Sequence, residues 1–222
     1  MTFSLAGRCR RTGMLGAVVT TSSIAVGARC PFVRAGVGAA LTQHRTDPRL
    51  GPLALDLLAR GYAPPPAMAA VVALAPQPEW RQLAIIDAQG RTAAHSGARV
   101  DATRAGEAHG TDCVAIANIV RSTEVPSAMV AAFEANPEAP LATRLLDALS
   151  AGEAAGSEFR PLLSAALLIA HIEAFPYADL RIDDHLQPIA ELRRLWQAYE
   201  PEAESYVARA LTPDAHPPAP IE

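Results

Sequence analysis

An alternation of strand hairpins with pairs of helices is what most narrows the folds open to this chain. Residues 2–9 alternate polar and apolar side chains, as a half-buried strand does. Arg10-Arg11-Thr12-Gly13 supplies a turn, and residues 14–22 read as the returning strand of a hairpin. A third and a fourth short strand are expected over residues 25–30 and 33–42, broken by Pro31 and carrying Gly36 and Gly38. A helix follows from Pro52, with Leu53, Leu57 and Leu58 on one face before Gly61 stops it, and a second spans 67–75 behind three prolines. Residues 83–87 and 91–95 flank Ala88-Gln89-Gly90 as another hairpin, and 112–120 reads as a buried strand. Residues 125–135 and 141–151 form a second helix pair, 164–172 and 177–182 return to strand, and Pro188 opens an amphipathic helix with Ile189, Leu192, Leu195, Trp196 and Tyr199 at helical spacing.

A doubly wound parallel sheet alternates one strand with one helix, so this order excludes it. The order fits an α+β protein in which two antiparallel sheets face each other with helices outside, a four-layer α/β/β/α sandwich. No internal repeat or linker divides the chain, so residues 1–211 are expected to form one domain. The last ten residues hold four prolines, and 212–222 read as a disordered tail.

Half of the 222 residues are hydrophobic and 19% are charged, enough apolar surface for a substantial core. A net charge of -4 argues against a protein built to hold phosphate backbones, so no nucleic-acid partner is expected. All 19 basic residues are Arg and none is Lys. That removes side-chain amine chemistry: Schiff bases, pyridoxal-phosphate attachment and the P-loop lysine. An amine that acts here must belong to the chain terminus.

Cys9, Cys30 and Cys113 are far apart, with neither disulfide nor zinc spacing, and read as small buried hydrophobes in a reducing compartment. No stretch is apolar enough to span a membrane, and the short apolar run after Arg8, Arg10 and Arg11 is a poor signal peptide. A cytoplasmic location with no membrane partner is expected. Gly36-Val37-Gly38 lacks the third glycine of a dinucleotide fingerprint, no serine sits in a GxSxG elbow, and the histidines form no HxH or HExxH pair. Asp183-Asp184-His185 reads as a buried turn network capping the helix from Pro188, so neither a metal nor another cofactor is expected.

Thr2 is the residue with the sharpest chemical content. A small second residue generally permits removal of the initiator Met, which would place a hydroxyl and an α-amine on one residue. The amine, with a pKa near ~7.7–8.0, is partly neutral at neutral pH and can accept the hydroxyl proton. That is a nucleophile carrying its own base.

Several motifs give the chain a family resemblance that covers nearly its whole length. They include Thr2-Phe3-Ser4, Ala25-Val26-Gly27-Ala28, Arg34-Ala35-Gly36-Val37-Gly38-Ala39, Thr42-Gln43 and Arg81-Gln82. Ala94-His95-Ser96-Gly97, Asn118, Ser164-Ala165-Ala166-Leu167, Asp183-Asp184-His185 and Glu191-Leu192-Arg193-Arg194 continue it. On these residues the chain resembles the bacterial and archaeal family called domain of unknown function 1028, placed in the N-terminal-nucleophile (Ntn) hydrolase superfamily. The resemblance implies the four-layer Ntn fold and a nucleophilic Thr2. It points to Thr21, Arg34, Gln43, His95 and Asn118 as helpers, with Asn118 donating to an oxyanion and Arg34 holding a substrate carboxylate. The chain departs from the family at Pro161-Leu162-Leu163, where a Gly-x-Gln is usual, and at Ser22, where an arginine is common, while Glu158 and Arg160 keep acidic and basic character nearby. The expected function is hydrolysis of a small-molecule amide by Thr2 after loss of Met1, with homo-oligomer formation left open. Its rivals are a non-catalytic ligand-binding or scaffold protein on the same fold, and an Ntn-fold enzyme such as a cyclohydrolase that does not use Thr2.

Overall fold

The computed structural model describes residues 1–216. The opening hairpin pairs β1 (Thr2–Arg8) with β2 (Leu15–Thr21) in the register Phe3 to Thr20 through Arg8 to Leu15. The expected strand over 25–30 is instead a 3-10 turn, Val26–Ala28, entered through Ala25 in the left-handed region at φ 54°. The segment expected as one strand over 33–42 is two, β3 (Pro31–Arg34) and β4 (Gly38–His44), folded back on each other at Ala35-Gly36. Helices α1 (Leu50–Ala59) and α2 (Pro64–Leu74) follow, then the hairpin of β5 (Arg81–Asp87) and β6 (Thr92–Ser96). Strand β7 (Ala105–Gly110) was not expected; it pairs along β8 (Cys113–Asn118). Then come α3 (Val125–Glu134), α4 (Leu141–Ala154), β9 (Ser164–Ala170), β10 (Ala178–Ile182) and α5 (Pro188–Leu211). Of the tail expected to be disordered, Pro213–Ala215 form a 3-10 turn, and residues 217–222 lie outside the described residues.

The strands form two antiparallel sheets, one ordered β10-β9-β2-β1-β8-β7 and the other β3-β4-β5-β6. Side chains alternate faces along a strand, and here both faces are covered. Phe3 and Leu5 of β1 and Val18 of β2 face α3 and α4, where they join Met129, Phe133, Leu145 and Leu149. Leu167, Ile169 and Leu180 receive Ile189, Leu192 and Trp196 of α5. Ala40, Leu83, Ile85 and Ala93 of the smaller sheet pack against Leu50, Leu55, Leu58, Met68 and Val71 of α1 and α2. The opposite faces meet each other through Ala6, Ala17, Ala39, Leu41, Ala84, Ile86, Val114 and Ile116. Small residues dominate that contact, which lets the two sheets approach closely.

Two glycines set how closely the helices approach the larger sheet. Gly7 and Gly16 are register partners on the helix side of the opening hairpin. A Cβ on Gly7 would stand 2.6 Å from Phe133 Cζ, and one on Gly16 would stand 2.7 Å from Leu145 Cδ1. Both rings and methyls are fully buried and cannot step aside. Gly7→Ala should therefore lower the unfolding free energy by about 1–3 kcal/mol through overpacking. Urea titration followed by circular dichroism reads this, and an unchanged midpoint would show that Phe133 has room to move.

Candidate functional site

The inter-sheet contact changes character along the strands. Its far end is apolar, but at the end where β1 begins, the same faces of β1, β2, β8, β4 and β5 carry Thr2, Ser4, Thr21, Asn118, Gln43 and Gln82. Asn118 is the register partner of Thr2 across β1 and β8. Thr21 flanks Thr2 on the other side, with 3.3 Å between the two hydroxyl oxygens. Both hydroxyls also donate to the carbonyl oxygen of Met1. Thr2 is 7% exposed, and Gln43, Gln82 and Asn118 are fully buried.

Buried amides must find partners, and these find each other. Gln82 Nε2 donates to Ala117 O at 2.9 Å and to Ser96 Oγ at 3.1 Å. That fixes the orientation of its amide and leaves Oε1 to accept from Gln43 Nε2 at 2.7 Å and from Asn118 Nδ2 at 3.0 Å. Gln43 Oε1 then accepts from Ser4 Oγ at 2.8 Å. The chain of bonds ties the two sheets together directly beneath Thr2. One atom is left over: Asn118 Oδ1 is buried without a partner.

Glu158 closes the site from the segment after α4. It is 2% exposed, and its Oε2 accepts from the Ser22 N–H at 3.1 Å while Oε1 has no partner. Burial raises its pKa above the ordinary carboxyl value, against the pull of Ser22, the terminal amine and Thr21. The amine of Met1 is shifted downward, chiefly by burial; Glu158 opposes that shift and Arg45 reinforces it. In front of Thr2 lies a cleft of about 380 Å³ whose lining includes Thr21, Arg29, Cys30, His44 and Arg45. Cys30 is the other nucleophile type in this cleft, but burial pushes its thiol up to about 11, so it stays protonated at neutral pH.

Residues 2–192 match the model of a family described as "Family of unknown function (DUF1028)". The chain belongs to this family. The DUF1028 chain is similar to a crystal structure of a protein of the same family from Silicibacter pomeroyi. The two are 32% identical with a TM-score of 0.82, over 89% of this chain and 88% of that one. It is also similar to Anbu (ancestral beta-subunit) from Yersinia bercovieri, 13% identical over 99% of this chain and 100% of that one. That TM-score is 0.42, too low to carry an argument. No curated protein matches it.

Of the residues expected at the site, the DUF1028 fold brings Thr2, Thr21, Gln43 and Asn118 together and leaves two elsewhere. Arg34 pairs with Gly38 at the opposite end of β4 from Gln43, about 16 Å along the strand, and forms an ion pair with Asp56 of α1 at 2.9 Å. His95 sits on β6 opposite Leu83, whose face turns to α2; its Nε2 lies 3.4 Å from Pro78 O, outside the cleft. Asn118 is in place beside Thr2. Its amide nitrogen gives one of its two N–H bonds to Gln82, and its Oδ1 is left as a buried acceptor without a partner. The Asp183-Asp184-His185 turn is exposed instead of buried; Asp183 pairs with Arg181 at 2.9 Å, and His185 Nδ1 accepts from the Gln187 N–H at 3.1 Å. Among the described residues no group of three His, Cys, Asp or Glu is placed to hold a metal ion, and no helix is long and apolar enough to cross a membrane.

Gln82 and Glu158 were missed as site residues. Gln82 carried a signal, since it is the polar residue on the same alternation parity as Ala84 and Ile86. Glu158 lies in a connecting segment, held by an isolated bridge to Val120, and nothing local marks it as buried.

The raised carboxyl of Glu158 has a consequence for stability. The folded chain holds that proton to higher pH than the unfolded chain does, so stability is lost as pH rises from the ordinary Glu value through the raised one. Glu158→Gln carries no such charge. The melting temperature of the variant minus that of the wild type should be more positive at pH 7 than at pH 4. The reverse order would mean that attraction to neighbouring cations, and not burial, governs this carboxyl.

Proposed function

We propose that this protein is an N-terminal-nucleophile amidohydrolase that cleaves a small amide with Thr2 after Met1 is removed. The observation that carries this reading is the setting of Thr2, buried at the first position of a central strand, beside the Thr21 hydroxyl and at the back of an open cleft. Two antiparallel sheets with helices packed outside each are read here as the four-layer Ntn sandwich.

Loss of Met1 turns the backbone nitrogen of Thr2 into a primary amine. Burial there favours the neutral form, as it does for the Met1 amine. The neutral amine takes the proton from Thr2 Oγ1 as that oxygen bonds to the substrate carbonyl carbon. The tetrahedral intermediate collapses as its C–N bond breaks, and the proton passes to the leaving nitrogen. Water then cleaves the ester on Thr2, returning the acid product and the free hydroxyl. Thr21, released from the Met1 carbonyl, has a hydroxyl beside Thr2 Oγ1 that is free to donate to the developing oxyanion. Asn118 Oδ1 and Glu158 Oε1, both buried without partners, supply acceptors for amine or substrate N–H groups. Arg45 and Arg29 at the mouth of the cleft favour a substrate that carries negative charge.

Intact mass of protein from the native organism should show loss of Met1, and an electrophile that captures N-terminal threonine should label the chain once. On a panel of small amides, Thr2→Ala should abolish hydrolysis with little change in stability, and Thr2→Ser should retain measurable activity. Wild-type activity should fall as pH drops below the pKa of the Thr2 amine, because a protonated amine cannot act as base. Equal hydrolysis by wild type and Thr2→Ala, with Met1 verified as absent, would sink the mechanism.

A further inference from the structure

At the other end of β1, about 20 Å from Thr2 along the strand, lies a larger cavity of about 690 Å³. Its walls are the Arg10-Arg11 turn of the first hairpin, the turn at Thr111-Asp112, the end of α3 and the connection into α4. Arg144 of α4 lines it while being only 6% exposed. A buried guanidinium is normally ion-paired with a carboxylate, and among the described residues this one forms no ion pair. Its Nε donates to Phe133 O at 2.9 Å, and its central carbon lies 3.8 Å from the Phe133 ring centroid. Capping the end of α3 in this way uses one of five donors. Nη1 and Nη2 have no hydrogen-bond or ion-pair partner among the described residues.

Of the acids nearby, Asp112 is engaged through both oxygens and Glu134 through one. Asp112 Oδ1 pairs with Arg8 at 3.0 Å and its Oδ2 with Arg10 at 2.9 Å. Glu134 accepts from the Thr111 N–H. Arg11 Nη2 donates only to the Glu138 carbonyl, at 3.0 Å. The lining sets Arg10, Arg11 and Arg144 against Asp112, Glu134 and Glu138, and Arg8, which pairs with Asp112 from outside the lining, tips that balance by one positive charge. Burial draws the pKa of Arg144 downward, against the opposing pull of Cys9, Cys113, Asp112 and Glu134.

We propose that this cavity is a binding site for a small molecule bearing an oxyanion group, a phosphate or a carboxylate, gripped by the free Nη1–Nη2 edge of Arg144 with Arg11 beside it. That edge presents two parallel N–H bonds matched to two oxygens of either group. The volume falls within the ~300–1,000 Å³ of ordinary small-molecule sites. The site is separate from the Thr2 cleft and does not depend on the reading given to it.

Titration calorimetry on the full chain at low ionic strength, with inorganic phosphate and with succinate as separate probes and sodium chloride as the control, tests this. One or both oxyanions should bind at one site per chain, and whichever binds more tightly identifies the group. Arg144→Met should weaken binding about tenfold or more, the effect expected for losing a charged hydrogen-bonding pair, and Thr2→Ala should leave it unchanged. If Arg144→Met does not fold, Arg11→Ala at its exposed position should still weaken binding several-fold. The proposal is overturned if neither oxyanion binds at millimolar concentration, if the folded arginine variants bind as the wild type does, or if Thr2→Ala abolishes binding.

Discussion

Strand β1 is hydrogen-bonded along both edges, to β2 and β8, and buried on both faces. Everything else in the structure is arranged around that double burial. One face of β1 must be apolar to receive α3 and α4. The other must match the smaller sheet, apolar where Ala6 meets Ala39 and Ile86, and polar where Ser4 meets Gln43. A slip of one residue would exchange these faces. It would put Phe3 and Leu5 among amides and leave Gln43 and Gln82 facing hydrocarbon. The hydrogen-bond chain through Ser4, Gln43, Gln82 and Asn118 therefore acts on register as well as on stability, because none of its members has water as an alternative.

The same chain of bonds makes the start of β1 a rigid place to put a reactive group. Each amide under Thr2 is held by at least one neighbour, and the network runs across both sheets, so a shift at Thr2 would strain several bonds at once. Loops contribute what the strands cannot: Glu158 from beyond α4, and Arg29 and Arg45 from the ends of the connecting turns. Arg29 and Arg45 line the cleft, while Glu158 is buried with the amides. Asn118 Oδ1 and Glu158 Oε1, buried acceptors without partners among the described residues, are both found at this end.

The legible part of the molecule is the part that alternation controls. The first hairpin, the β5–β6 hairpin and both helix pairs follow from periodicity and turn residues, and Thr2, Thr21, Gln43 and Asn118 come to one place. Strand β7 escaped because Ala105-Gly106-Glu107-Ala108-His109-Gly110 has little strand propensity of its own and is held by its pairing with β8. Residues 25–30 carry valine and alanine in a strand-like run, yet the left-handed Ala25 turns them into a 3-10 turn. His95 shows a subtler limit. In a sheet covered on both sides, alternation tells which residues share a face but not which face meets the other sheet, and His95 falls on the helix side. Arg34 fails for a different reason: the fold-back at Gly36 reverses the chain, so a residue close to Gln43 in sequence lies at the far end of the paired strand.

Burial lowers the pKa of the nitrogen groups at both ends of β1, and the consequence differs with where each begins. An α-amine starts near ~7.7–8.0, so a penalty on its charged form shifts it toward the neutral state a base requires. A guanidinium starts above ~12, and the same kind of penalty leaves Arg144 charged. In the site proposed above, an anion that reaches Nη1 and Nη2 would meet a charged, directional donor pair. A lysine, starting near ~10.4, could be driven to either state by small differences in its surroundings. The chain has none. In the reading proposed here, proton transfer at Thr2 and anion recognition at Arg144 are thus divided between two nitrogen groups that cannot exchange roles.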